Sequence, residues 1–441
     1  MSELPIGVEL ISDGLQTIKV VKELGRGGQG IVYQITVNGE LKVLKWYHES
    51  AFGDKRKLFY ENLKSKIQIG APADCVIWPL DSVVADEYGS FGCITEMDLP
   101  SSEYVSMHQF MLRQKFDSYR ARVNAMINIA NSFRIFHNKG FCCGALTDRD
   151  IYINPHNGDV LIDNDEQVTY AGLSTGLLGK SRYMAPEIVL GQKMPDRATD
   201  RFTLAVLLFM LACKAHPLEG AGATPPYMTP ELEKQIYGAN PVFIFDPAND
   251  TNRPIRGVHM NAIGMWPKLP DYIRSVFERA FAKECMTYHP EDGSYGAPRV
   301  SEREWLEVLV RYCNSIVVCS CNNEELVSNG TIVCSACNEK LPIAAFIQLA
   351  RYSVPVCLGV KVLRMELENC PDDQALVPIA EVIAAPGRAD DPAFYGIKNI
   401  SDRIWHCITT TGQQRDLQPG AVMPAKPGIK VLVDNGYFII I

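Results

Sequence analysis

Hydrophobic and polar positions alternate between residues 18 and 47. Ile18–Leu24 reads as a strand, a run of glycines follows, and Ile31–Val37 and Leu41–Tyr47 alternate on either side of Asn38-Gly39. Asn-Gly supplies two residues that tolerate positive φ, so it predicts a tight hairpin there. The period then lengthens. Lys55 to Ile69 places Leu58, Phe59, Leu63 and Ile67 at helical spacing, and strand-like pieces follow at Val76–Val84 and Phe91–Met97. From about Ser106 helical patterns dominate, at Arg120–His137, Asp200–Cys213, Pro270–Lys283 and Ser301–Tyr312. A Pro-, Gly- and Asn-rich stretch between Pro225 and Pro298 is expected to be largely irregular. A strand-rich lobe followed by a larger helical one is an α+β arrangement.

The pattern changes at Cys313. Paired cysteines dominate to about Leu341, and a short helical candidate covers Ile343–Arg351. Beyond it Val, Ile and Gly recur between Pro-Gly and Asn-Gly turns roughly every 8–12 residues, which predicts an all-β sandwich or small barrel. The expected division is 1–313 (small lobe about 1–99, large lobe about 100–313), a cysteine module over 314–341, and a β-domain over 352–441.

Composition narrows the class. With 441 residues, 47% of them hydrophobic and 21% charged, the chain can bury a sizeable core in more than one domain. A net charge of −8 without a long basic run argues against nucleic acid or an anionic membrane as main partner. The longest apolar run, Leu204 to Cys213, is half a membrane span and reads as a buried helix. Fourteen cysteines behind an N-terminus without a signal-peptide pattern suggest reduced thiols and a cytoplasmic protein.

Gly25-Arg26-Gly27-Gly28-Gln29-Gly30-Ile31-Val32 matches GxGxxGxV between two strands. Glycine lets backbone N–H groups come close to phosphate oxygens. Lys45, flanked by apolar and aromatic residues on the following strand, needs an anionic partner. Glu61 on the next helix is the expected one. A Gly-rich turn, a snorkelling lysine and a solvated glutamate are the plain alternatives.

In this order the elements resemble the small lobe of a protein kinase. Val160-Leu161-Ile162-Asp163-Asn164-Asp165 sits where kinases carry Asp-Phe-Gly, and Tyr183-Met184-Ala185-Pro186-Glu187 contains an intact Ala-Pro-Glu. Thr199-Asp200-Arg201-Phe202 opens an apolar helix as in that family, and Arg299 is placed to pair with Glu187. The resemblance covers residues 15–313. The runs Asp200–Phe209 and Gly238–Pro247 are similar to a narrower bacterial group, kinases encoded beside a von Willebrand A protein and a PPM-type phosphatase in tellurite-resistance clusters. Those two proteins are then the expected partners.

The resemblance implies a bilobal fold that binds ATP and Mg²⁺. Gly25, Gly27, Gly30 and Val32 would cover the phosphates, Lys45 oriented by Glu61 would bind two of them, and Asp163 and Asp150 would hold Mg²⁺. The departure is at the catalytic loop. Cys143-Gly144-Ala145 replaces His-Arg-Asp, so Ala145 stands at the general-base position. Loss of a base costs about 10²–10⁴-fold. Asp148, three residues on, is the candidate substitute, with a capping role as the plain reading. Three functions stay open: an ATP-binding pseudokinase or weakly active Ser/Thr kinase, an active atypical Ser/Thr kinase, and a scaffold without nucleotide.

Cys319-Ser320-Cys321 and Cys334-Ser335-Ala336-Cys337 present two short-spaced pairs, with Asn329-Gly330 as the expected turn between them. Four thiolates so arranged suit a structural Zn²⁺ in a zinc ribbon. In the last region Tyr395–Ser401 and Gly428–Val431 resemble a divergent forkhead-associated-like sandwich. That would make Lys398 and Arg403 phosphate ligands, whereas a docking β-module without phosphate binding is the plain alternative.

Overall fold

The computed structural model describes residues 3–97, 103–144, 146–163, 168–170, 179–223, 227–327, 332–434 and 436–441. Ala145, Asn164-Asp165 and the Asn329-Gly330 turn lie outside the described residues. Two compact units divide the chain: Met1–Asp117 with Asn128–Glu302, and Ser118–Ile127 with Arg303–Ile441. The longer segment of the second unit starts at Arg303, ahead of the cysteine module expected from 314, and takes most of the helix Glu302–Asn314.

The first unit opens on a six-stranded antiparallel sheet in the order β1-β2-β3-β4-β6-β5. Its strands are β1 (Glu9–Ile11), β2 (Thr17–Arg26), β3 (Gly30–Val37), β4 (Glu40–Tyr47), β5 (Asp81–Ala85) and β6 (Ser90–Glu96). Asn38 and Gly39 take φ of 51° and 88°, the two positive values that join β3 to β4 in a tight turn. On β4, Val43, Leu44, Trp46 and Tyr47 are buried. Helix α1 (Arg56–Ile69) packs Phe59 and Leu63 against Tyr47, Phe52, Phe91 and Cys93. The rings of Phe52 and Phe59 stack at 4.1 Å. That contact fixes the helix rotation and turns Leu58 outward.

The strand expected over Val76–Val84 begins only at Asp81. Pro79 has no N–H to donate to a ladder. The residues before it pair elsewhere: Ile77 N–H donates to Ile162 O and Ile162 N–H to Cys75 O, at 2.9 and 2.8 Å.

Helices are the main regular elements of the rest of the unit. Arg197–Cys213 is buried along almost its whole length. It starts at a reciprocal cap, in which Asp196 Oδ1 accepts from Thr199 N–H and Thr199 Oγ1 accepts from Asp196 N–H, both at 2.9 Å. It ends at Lys214 in the left-handed region (φ 48°). Phe243, Trp266, Phe277 and Phe281 pack around its Phe209, edge-to-face or tilted, and Phe243 stacks on Phe281. The stretch expected to be irregular is more ordered than its composition suggests. Thr229 caps Pro230–Lys234, which runs into a π-turn at Gln235–Ala239, and Met260–Met265 and Asp271–Ala280 follow.

In the second unit a hairpin of Ile316–Val318 and Glu324–Leu326 precedes an antiparallel sandwich. One sheet has six strands, with Lys430–Val433 and the C-terminal Gly436–Ile440 at its centre; the other has four, around Pro378–Ala384 and Tyr395–Asn399. Ile347, Val431, Phe438 and Ile440 from one sheet meet Val362, Ile379, Val382, Ile397 and Met423 from the other. The helix expected over Ile343–Arg351 is absent. Ile347 is buried between half-buried neighbours, the period-two pattern of a strand, and pairs with Val354 and Ile440. No described helix is long and apolar enough to cross a membrane.

Candidate functional site

Lys45 lies opposite Val32 in the β3–β4 ladder, and its Nζ stands 3.0 Å from Asp163 Oδ1. Asp163 is delivered by a short antiparallel ladder, Ile151–Ile153 against Val160–Ile162. At its end Asp163 N–H donates to Asp150 O at 2.8 Å, which holds the two aspartates side by side. Asp150 Oδ2 accepts from Thr147 N–H at 2.7 Å and Thr147 Oγ1 at 2.8 Å. Burial pushes the Asp150 carboxyl up to about 6, Asp163 adding to the rise while Thr147 and Lys45 oppose it. Oδ1 of Asp150 and Oδ2 of Asp163 carry no hydrogen bond among the described residues. Two hard oxygens of adjacent carboxylates fit a Mg²⁺ ion.

A cavity of about 530 Å³ lies between the glycine-rich turn of β2–β3, Val32, Lys45 and the side chains of Arg149 and Lys180. The glycines differ in what they do. A Cβ on Gly30 would sit 2.2 Å from Trp46 O, so Gly30 is fixed by the close approach of β3 to β4. Gly25, Gly27 and Gly28 would meet nothing within 4 Å. Their bare backbone is open to a ligand rather than needed for packing.

The loop before residue 145 is anchored from the buried helix. Asp200 Oδ2 accepts from Cys143 N–H at 2.6 Å and Oδ1 from Gly144 N–H at 3.2 Å. Fully buried His137 bridges Asp200 (3.0 Å) and Glu302 (2.7 Å), and Arg201 also pairs with Glu302 at 3.0 Å. Burial opposes the charge on Glu302, yet His137 and Arg201 hold its carboxyl well below the usual range. Arg299 makes the expected pair with Glu187, bidentate at 2.8 Å and buried on both sides. The Cys142 and Cys143 thiols are pushed up by burial, first of all, and then by Asp200, so neither is a reactive thiolate.

Two expected site residues are placed otherwise. Glu61 does not pair with Lys45. The packing of Phe59 and Leu63 turns it to solvent, 3.9 Å from Lys57 Nζ. Asp148 is buried, and His108 Nδ1 lies 2.8 Å from its Oδ2. Burial, and next the Asp148 carboxylate, raise the Tyr183 hydroxyl. Sequence reasoning missed His137, Arg149 and Lys180. His137 had a signal, being the one histidine on the apolar-patterned helix Tyr119–Asn138, whereas the cations are ordinary loop residues until the fold brings them together.

The cysteines form a second centre. Sγ atoms of Cys319, Cys321, Cys334 and Cys337 lie within 4.8 Å of one another, with 3.6 Å between Cys319 and Cys337 and 3.7 Å between Cys321 and Cys334. Ligands of a tetrahedral zinc at 2.3 Å stand about 3.8 Å apart, so the donor set fits. Asn322 and Asn338, at φ of 64° and 63°, close the two knuckles. Asn322 N–H donates to Cys319 O at 2.9 Å and Asn338 N–H to Cys334 O at 3.0 Å. Ala336 N–H points at Cys334 Sγ, 3.4 Å away. None of the fourteen cysteines is joined in a disulfide.

In the sandwich Arg403 Nη1 is taken by Asp434 Oδ1 at 2.9 Å. Buried Asn399 braces the loop that follows it, donating to Arg403 O and accepting from Ser401.

No protein-family model matches the chain, and no curated protein does. Three crystal structures of the Mycobacterium tuberculosis PknI kinase domain, all substituted variants, are similar to it. They are 16–17% identical and cover 70% of this chain and 98–99% of their own, at TM-scores of 0.43–0.44. At that level the site stands on its own geometry.

Proposed function

We propose that the first unit is a protein-kinase-like domain that binds a nucleoside triphosphate with Mg²⁺ and signals through the bound form, with weak or absent phosphoryl transfer. The Lys45–Asp163 pair at 3.0 Å carries this reading. The open glycines beside the same cavity support it, as do the Glu187–Arg299 pair and the anchoring of Cys143 and Gly144 by Asp200. Lys45 would hold phosphate oxygens, and the free oxygens of Asp150 and Asp163 would hold the metal. Bound Mg²⁺ supplies neutralisation of phosphate charge. Transfer is weak because alanine at 145 accepts no proton and Asp148 is committed to His108.

The second unit is read as a structural zinc ribbon with a β-sandwich docking module. Its partners are proteins, of which a von Willebrand A protein and a PPM-type phosphatase are the proposed ones. Reduced cysteines and an acidic net charge support a cytoplasmic protein without nucleic acid or membrane as partner.

The test is purified full-length chain with Mg-ATP. A saturable thermal shift is expected, lost in Lys45→Ala and Asp163→Ala, with no label transferred to the chain or to the two partner proteins. Label that disappears in both Asp163→Ala and Asp148→Asn would establish instead an active kinase using Asp148. A wild-type chain that no nucleotide stabilises would leave a scaffold.

A further inference from the structure

The cavity beside the glycine turn has three charged side chains in its lining, and all are cations: Lys45, Arg149 and Lys180. Lys45 is balanced by Asp163. Arg149 and Lys180 are not, since neither has a carboxylate within ion-pair distance among the described residues, and both are exposed. Their backbones are nonetheless fixed. Arg149 N–H donates to Thr147 Oγ1 at 3.2 Å, and Lys180 O accepts from Tyr183 N–H at 2.9 Å.

The residues flanking Arg149 explain why it is available. Asp148 is held by His108 and Asp150 by Thr147, so the two carboxylates that flank Arg149 in sequence are already engaged. Two unbalanced cations facing one cavity repel each other, and an anion placed between them removes that cost. A planar guanidinium can take a phosphate with two parallel hydrogen bonds. The glycine turn and Lys45 come from β2–β4, whereas Arg149 and Lys180 come from later loops, so a polyphosphate held at one end by the first set presents its other end to the second.

From this we infer that Arg149 and Lys180 form a clamp for the terminal phosphate, which makes the site selective for nucleoside triphosphates over diphosphates. The inference rests on the nucleotide reading proposed above. With an alanine at the base position, such a clamp retains the terminal phosphate rather than moving it, and the domain reports the triphosphate form of the pool.

Titration calorimetry of the full-length chain with Mg-ATP and Mg-ADP tests it. Wild type is expected to prefer ATP by about tenfold, the worth of one charge-assisted contact in a partly solvated site. Arg149→Ala and Lys180→Ala should each reduce that ratio, and the double variant should bind both nucleotides within about twofold while melting like wild type without ligand. An ATP:ADP ratio unchanged in the double variant overturns the clamp and leaves the nucleotide reading standing. A wild type that binds neither nucleotide overturns both, and Lys45→Ala, losing both nucleotides alike, separates general binding from terminal-phosphate selection.

Discussion

Asp200 accepts a 2.6 Å hydrogen bond from the N–H of Cys143, 57 residues earlier in the chain. Its second oxygen takes the N–H of Gly144, and His137 shares the first. One buried carboxylate thus fixes the loop that leads to residue 145. In Asp200→Ala two loop N–H groups lose their acceptor and His137 keeps only Glu302. Breaking such a network costs about 3–5 kcal/mol. Urea unfolding should show a loss of that size, and any nucleotide-induced stabilisation should vanish with it. Asp200→Asn keeps an acceptor oxygen and should lose less. An alanine variant as stable as wild type would mean that the loop is held by something else.

His137 makes this network pH-dependent. Burial alone would depress its pKa, but hydrogen bonds to Asp200 and Glu302 outweigh burial and raise it above the ordinary 6.5. The folded chain therefore keeps a proton that the unfolded chain gives up as pH rises past that value. Stability from His137 is complete below the unfolded pKa and is lost as pH climbs through the raised folded one. The unfolding free energies of wild type and His137→Gln should differ most near pH 6. The gap should narrow as pH rises above that range. A gap of constant size would show that the imidazole is neutral in the fold.

The four-cysteine centre predicts one zinc per chain by elemental mass spectrometry. Metal binding to a site that exists only in the fold is itself folding free energy. The cluster adjoins the sandwich core, where Cys319 and Cys334 pack with Val317, Val327 and Leu341. Chelation, or Cys334→Ser, should lower the melting temperature of the second unit by about 10 °C. Metal-free protein that melts unchanged while all four thiols react with an alkylating reagent would remove the centre.

Much of this was legible from the chain. Alternation and Asn38-Gly39 marked the β3–β4 hairpin because turn chemistry is local, and motif spacing brought Lys45 to Asp163 and Glu187 to Arg299. What failed was decided by packing. Glu61 lay at a plausible helical position, yet the stacking of Phe52 on Phe59 turned that face to solvent. Ile343–Arg351 had helical spacing, but Ile347 found strand partners at Val354 and Ile440 instead. The role of Asp148 depends on His108, forty residues away, which no local pattern shows.

Gly27 and Gly30 belong to one motif and should behave differently when changed to alanine. At Gly30 the new methyl would meet the Trp46 carbonyl oxygen at 2.2 Å, a backbone atom that cannot yield without separating β3 from β4. Gly30→Ala should cost about 1–3 kcal/mol, as overpacking does, and weaken nucleotide binding only as a consequence. At Gly27 the methyl would meet nothing within 4 Å. Gly27→Ala should change stability by less than about 0.5 kcal/mol, as surface substitutions do. Its methyl would instead keep a phosphate off the backbone, so affinity for Mg-ATP should fall by about tenfold, the loss of one hydrogen bond to a charged group. Denaturation and calorimetry on the two variants give opposite orders of severity under this account. If Gly27→Ala binds nucleotide like wild type, the bare backbone at that turn serves something other than a phosphate.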